Sequence, residues 1–233
     1  MAHNLNISRH MELFNPETFE HPVTIIGAGA TGSWLALSLA KLGIENITVY
    51  DFDTVEEHNI PNQAFMLKNS VALDGNIQSH IGVSKVCALR DIIENSTGIC
   101  INPIHAKFTD QRLSGVVFLM VDSMSARKEI WENSIKLKPS VKLLIEPRMG
   151  LDVGRVYNVD PLDLNQIKRY EETYYDDDVA EVSACGSSMT VITSALGIAS
   201  WCGRQLINFH NKEELDNEIL IDFKYNNIVT NRW

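Results

Sequence analysis

The chain is short of cations. It carries 20 Lys and Arg against 30 Asp and Glu, a formal charge of -10 over 233 residues. Such a balance argues against non-specific binding to nucleic acid or to an anionic membrane surface. It also means that any polyphosphate ligand must be met by a few locally placed cations. Cysteine is sparse as well. Cys87, Cys100, Cys185 and Cys202 are scattered, with no C-x-x-C pair. No zinc site is expected from that spacing, and reduced thiols in a cytoplasmic protein are the default. There is no apolar run of transmembrane length, no apolar signal region at the start, no internal repeat and no low-complexity tract. What remains is an ordinary globular chain, 45% hydrophobic, with enough apolar residues for one sizeable core.

The stretch "VTIIGAGATGSW", residues 23–34, is the strongest local signal. Val23–Ile26 reads as a buried strand. Gly27, Gly29 and Gly32 follow at G-x-G-x-x-G spacing. Gly27 permits a tight turn, Gly29 lets a phosphate approach the backbone, and Gly32 allows close packing of helix on strand. Apolar residues from Thr31 to Leu42 recur at helical spacing up to Gly43. Ile47–Tyr50 is a second strand, ending at Asp51, where a carboxylate can accept from ribose hydroxyls. The unit is the right size for a right-handed βαβ crossover. On these residues alone the turn suits NAD and ATP equally, or binds nothing.

Downstream, residues 56–80 read as a long loop. Lys85–Glu94 and Ala126–Lys136 read as helices, and Ile99–Ile104, Val116–Val121 and Leu143–Glu146 as strands. A hairpin is expected around residues 148–159. The acidic stretch 163–182 reads as a solvated segment or a flap. Ser187–Asn208 is expected as a long apolar helix and Ile219–Phe223 as a late strand. The fold class expected is a doubly wound, Rossmann-like α/β domain with a mainly parallel sheet and a C-terminal antiparallel portion. It would be one domain over 1–233: an arm to residue 21, a nucleotide-binding part over 22–147, and a C-terminal part over 148–233.

The segment "VYDFDTVEEHNIPNQAF" resembles the ThiF/MoeB/HesA family, part of the ubiquitin-activating-enzyme superfamily. Asp51, Asp53, Val55, Asn59 and Gln63 stand where that family has D-x-D-x-V-x-x-x-N-L-x-R-Q. "IGVSKVCAL" is similar to its G-x-x-K-A segment and supplies Lys85. "VFLMVDSMSARKEI" is similar to its V-D-x-x-D/S-x-x-x-R segment and supplies Asp122 and Arg127. "ISRH" is similar to its S-R-Q segment and supplies Arg9. The matches fall in register from about residue 7 to about residue 208.

The resemblance implies ATP-dependent adenylation of the C-terminal carboxylate of a small ubiquitin-like or sulfur-carrier protein ending in glycine. Two anionic reactants must meet, so cations and a metal are needed at the phosphates. The turn of Gly27, Gly29, Ala30 and Gly32 would take the phosphates, with Asp51 on the ribose. Asp53, Asn59 and Asn62 complete the expected nucleotide contacts. Lys85 and Arg9 would supply charge, and Asp122 would hold Mg²⁺. A homodimer is implied, with Arg9 reaching the partner's site. Cys185 stands where some members carry a thiol that takes over the acyl group, although no cation adjoins it in sequence. Bland readings stand beside these. Lys85 is then a helix-start lysine, Asp122 an N-cap, Arg9 a surface arginine, Asp53 a turn carboxylate, and Cys185 an inert thiol. Arg127 would then pair with an acidic neighbour.

Two departures matter. Asn62 replaces the family's phosphate-binding arginine, and the paired C-x-x-C zinc motif of many relatives is missing. The chain resembles compact bacterial or phage-type members. Other functions stay open: a nucleotide-binding scaffold or sensor with lost or slow chemistry, adenylation of a small molecule or tRNA base, or an NAD-dependent oxidoreductase.

Overall fold

The computed structural model describes residues 5–67, 79–176 and 191–233. Lys68, Cys185, Ser187 and Ser188 lie outside them.

Five strands are parallel: β1 (Val23–Ile26), β2 (Ile47–Asp51), β3 (Asn102–His105), β4 (Gly115–Leu119) and β5 (Val141–Met149). Three more add antiparallel to the far side of β5: β6 (Val153–Val159), β7 (Glu218–Asp222) and β8 (Asn227–Asn231). The order across the sheet is β3-β2-β1-β4-β5-β6-β7-β8. The chain runs outward one way from β1 and the other way from β4. The crevice between their carboxyl ends is the switch point where open α/β sheets bind ligands.

The central strands are apolar on both faces because helices cover both. All five residues of β4 are buried. Val116 and Phe118 join one core with α1 (Ala30–Lys41), α2 (Lys85–Thr97) and α5 (Ile192–His210). Val117 and Leu119 join the other, with Ile130 of α3 (Met124–Ile130), Trp131 and Ile135 of a one-turn π-helix, and Ile167 and Tyr170 of α4 (Leu164–Glu171). Gly98 ends α2 in the left-handed conformation at φ 75°, its N–H returning to the Glu94 carbonyl.

Four sequence expectations need correcting. The stretch 163–182 is not simply a solvated or flap segment, because its described part contains α4. Asp163 caps that helix by accepting from the Asn165 and Gln166 N–H groups, while Ile167 and Tyr170, three apart, turn inward. The strand expected at Ile99–Ile104 is displaced to Asn102–His105, since Ile99 and Ile101 bury in the core ahead of it. The helix expected over Ala126–Lys136 is α3 followed by the wider turn of Trp131–Ile135. An eighth strand, β8, pairs with β7 although all five of its residues are exposed.

Candidate functional site

The glycine turn joins β1 to α1. Gly27 has φ 104°, and a Cβ there would lie 2.6 Å from the Met120 carbonyl oxygen. Gly32 is tighter: its Cβ would lie 1.9 Å from the Gly27 carbonyl oxygen. Gly29 differs, because a Cβ there would meet nothing within 4 Å. Two glycines therefore close the turn, and the third faces open space. Gly29 is the N-cap of α1 and offers no side chain to the helix. Among the described residues, no acceptor meets the N–H groups of Gly29, Ala30, Thr31 or Gly32. A helix start with free donors and an open approach is an anion site.

Asp51 ends β2 beside this turn. Its Oδ2 accepts from the Ala28 N–H at 2.7 Å and its Oδ1 from the Asp53 N–H at 2.8 Å. Burial pushes its carboxyl up, against the pull of those two N–H groups and of Lys85. Each oxygen keeps a lone pair for a further donor. Asp51 thus shapes the turn as well as facing its mouth.

Lys85 opens α2. Its backbone N–H donates to the Asp53 carbonyl at 2.9 Å, and its ammonium lies 2.8 Å from Asp53 Oδ2. The lysine side chain is 9% exposed, that of Asp53 48%. Asp53 is therefore the more exposed half of the pair, the one at which an arriving phosphate can compete for the ammonium.

The loop after Asp53 is pinned to α1. The Trp34 indole donates to the Asn62 carbonyl at 3.0 Å, and Ser33 Oγ accepts from the Ala64 N–H at 3.1 Å. Asn59 is buried, and its Oδ1 accepts from the Glu56 N–H in a reciprocal cap with Glu56. Its side-chain oxygen is committed to that turn. Asn62 is half-buried and held through its backbone carbonyl, which leaves its amide side chain without a partner among the described residues.

Asp122 follows β4. Met120 N–H donates to the Ile26 carbonyl at 2.7 Å, and the Met120 carbonyl packs on Gly27. The Asp122 loop and the glycine turn are therefore neighbours. Asp122 is exposed, with no hydrogen-bond or ion-pair partner among the described residues. The N-cap of α3 is Ser123, not Asp122: its Oγ accepts from the Ala126 N–H at 3.2 Å. No group of three or more His, Cys, Asp or Glu able to hold a metal occurs among the described residues. A lone strand-end carboxylate suits a cation that brings phosphates and water as its other ligands, which is how Mg²⁺ binds with nucleotides.

Arg9 is not at its own chain's turn. It is exposed, between Ile7 and His10. His10 Nε2 lies 3.3 Å from the Leu42 carbonyl, and Ile7 packs toward Gly43. Both contacts are at the C-terminal end of α1, a helix of 12 residues. That end lies roughly 18 Å from the glycine turn.

One buried cluster went unread in the sequence. Glu146 on β5 is fully buried and accepts from Arg127, from Arg148 Nε at 3.0 Å and Nη2 at 2.9 Å, and from Tyr170 Oη at 2.9 Å. Arg148 also donates to the Thr173 carbonyl at 2.7 Å and lies over the Tyr157 ring at 4.5 Å. Burial disfavours its charge, but Glu146 outweighs this and holds the guanidinium above its ordinary range. Burial pushes the Tyr170 hydroxyl up likewise. The only signal in sequence was a pair of opposite charges, Glu146 and Arg148, at the end of an apolar strand. Arg127 pairs with this acid, so it is not a free cation that takes over from the arginine missing at position 62.

Residues 4–141 match the ThiF family. Over 118 residues the chain is 30% identical to ubiquitin-like modifier-activating enzyme 5 of Oryza sativa subsp. japonica, which covers 46% of this chain and 28% of that one. Over 96 residues it is 29% identical to the molybdopterin-synthase adenylyltransferase of Escherichia coli K12, covering 41% and 34%. The matched stretches thus span about a third of these relatives or less. Among solved structures, E. coli MccB with AMPCPP and MccA aligns with a TM-score of 0.64 at 15% identity, over 93% of this chain and 65% of that one. PaaA aligns with a TM-score of 0.67 at 16% identity, over 98% and 75%. Those two likenesses speak for the fold.

Proposed function

Because the chain belongs to the ThiF family, we propose that it is an ATP-dependent adenylyltransferase acting on the C-terminal carboxylate of a small ubiquitin-like or sulfur-carrier protein. The observation that carries this reading is the meeting of three features at one switch point. They are a helix start with unclaimed N–H groups, a carboxylate loop packed against it, and a buried lysine held by a half-exposed acid. The partial matches to a modifier-activating enzyme and to an adenylyltransferase support the class of acceptor.

In this reading ATP lies with its phosphates over Gly29 and on the N–H groups of Ala30, Thr31 and Gly32. Asp51 accepts from the ribose. Lys85 exchanges Asp53 for a phosphate oxygen. Asp122 would hold Mg²⁺, which supplies charge neutralisation at the phosphates. The acceptor carboxylate attacks the α-phosphorus, the bond to the bridging oxygen breaks, and pyrophosphate leaves with that electron pair. The product is the acyl-adenylate. Hydride transfer to a nicotinamide would need neither Lys85 nor Asp122 here, so ATP is favoured over NAD.

The arm supports a homodimer. Arg9 sits at the far end of α1 from its own turn. An arginine that serves the phosphates from there serves another subunit's. Cys185 as acyl acceptor is part of the same proposal and rests on position alone.

The test is pyrophosphate exchange into ATP with candidate carriers ending in Gly-Gly, beside calorimetry of ATP with and without Mg²⁺. Carrier-dependent exchange and Mg²⁺-dependent binding, both reduced in Asp122→Ala, are expected. ATP binding with no exchange for any carrier would turn the reading to a nucleotide-binding scaffold or sensor, an outcome that Asn62 favours. Preference for NAD over ATP would overturn both.

A further inference from the structure

The loop that carries Asp122 lies beyond the sheet ladder. β4 stops at Leu119, whereas β5 runs on to Met149. Past that point the carbonyls of β4 lose their ladder on the β5 side. Arg127 fills the gap. Its guanidinium donates to the carbonyls of Leu119, Val121 and Pro147 and to Glu146. It therefore ties the end of β4, the residue just before Asp122 and the end of β5 into one unit. Its side chain is 8% exposed, and Glu146 is 0% exposed. Its four acceptors all lie inside the chain and its side chain is nearly closed to solvent, so Arg127 serves this loop rather than a nucleotide.

Resting on the adenylyltransferase reading, we infer that Arg127 and Glu146 are positioning residues that preset Asp122 for the metal of the nucleotide. The chain of contacts runs from Glu146 to Arg127 and from there to the Val121 carbonyl, one residue before Asp122. On the other side Ser123 is fixed as the N-cap of α3, and Arg127 N–H donates to its carbonyl. Asp122 is thus exposed for a ligand while its backbone is held from both sides. Glu146 is anchored in turn by Arg148 and Tyr170, so the fork of Arg127 is aimed before any ligand arrives. Such a shell keeps a ligating group within the narrow geometry a cation needs.

Arg127→Lys keeps the charge but replaces a planar fork with one ammonium, which cannot meet Glu146 and three carbonyls together. The parent should bind ATP more tightly with Mg²⁺ than in EDTA. In folded Arg127→Lys, affinity in EDTA should change less than about twofold, while at least about fivefold of the Mg²⁺-dependent tightening is lost, as in outer-shell variants of metal sites. A general loss of packing would lower both affinities together. Glu146→Gln, isosteric and still an acceptor for Arg127, should lose part of the tightening in the same selective way. Full Mg²⁺ tightening in either folded variant would overturn the assignment while leaving the functional reading in place. A pair of variants that both fail to fold would put the cluster in global stability and overturn it too. A parent protein with no Mg²⁺-dependent tightening at all would instead remove the functional reading on which it rests.

Discussion

Replacing Gly29 by alanine separates the fold from the ligand more cleanly than any other change at the turn. The added Cβ meets nothing within 4 Å, and Gly29 has a negative φ of -75°, so no left-handed conformation calls for glycine. Alanine is a poorer N-cap than glycine by roughly 0.5–1 kcal/mol, and restricting the unfolded chain gains back roughly 0.4–1 kcal/mol. The expected change in stability is therefore within about 0.5 kcal/mol. Binding should respond differently. If phosphate comes down onto Gly29, a methyl group holds it off the N–H groups of the first turn. One hydrogen bond to a charged group is worth roughly 1.5–3 kcal/mol. Losing it weakens ATP by about tenfold to a hundredfold at roughly 1.4 kcal/mol per decade. The assay is calorimetric titration of ATP with Mg²⁺, beside a thermal melt of the same sample. Gly32→Ala is the contrast. Its Cβ would lie 1.9 Å from the Gly27 carbonyl oxygen, so backbone must move. Overpacking of that kind costs roughly 1–3 kcal/mol, or about 2–4 °C in Tm for each kcal/mol in a chain this long. Undiminished ATP affinity in Gly29→Ala, at the parent's Tm, would refute the claim that the open space over this glycine is where phosphate enters.

Three further outcomes are expected. Lys85→Met removes the buried ammonium beside Asp53, and pyrophosphate exchange should fall on the order of 10²–10³-fold with only a small change in Tm, read from initial rates and melts. Mixing Arg9→Ala with Asp122→Ala chains should restore exchange in the mixed dimer, because one site then carries both defects and the other neither; no recovery after demonstrated subunit exchange would rule out action across the interface. The third concerns pH. His210 Nε2 lies 3.2 Å from Thr18 Oγ1, and its ring packs against Phe14 and Phe19 of the arm. Burial, then the charge of His21, lowers its pKa. A lowered value means that the neutral form stabilises the fold above the ordinary pKa, and that this contribution is lost as pH falls through the lowered one. Between about pH 7.5 and about pH 5.5 the parent should lose Tm and the arm should lose amide protection, and His210→Gln should flatten both trends.

The parts of the site legible in sequence were those whose chemistry is local. Gly27 and Gly32 carry conformational reasons and Gly29 a ligand-facing one, and Asp51 and Asp122 stand at strand ends that apolar runs mark out. Positions 163–171 hid a helix because only Ile167 and Tyr170 face the core, too few to give a period among the polar residues of that stretch. β8 hid because none of its residues is buried, and its pairing with β7 comes from the backbone. Glu146 hid for the opposite reason. Arg148 is two residues away, but Arg127 and Tyr170 are distant in the chain, and nothing local says that a carboxylate on an apolar strand will gather all three. Which subunit's site Arg9 would serve in the proposed dimer rests likewise on where the arm lies, not on what it contains.

The packing of α5 bears on how the protein must be made. This helix, residues 192–210, lies against α1 and over β5 and β6, where Ala195, Ile198, Cys202 and Leu206 close the core beside Leu35 and Leu39. A chain emerging from the ribosome therefore has its whole nucleotide half translated well before the segment that roofs it. Until His210 is out, the face of α1 that meets α5 stays exposed, and β5 and β6 are uncovered on that side. That interval is when a holdase chaperone would engage the nascent chain. A translational pause ahead of residue 192 would prolong that exposure.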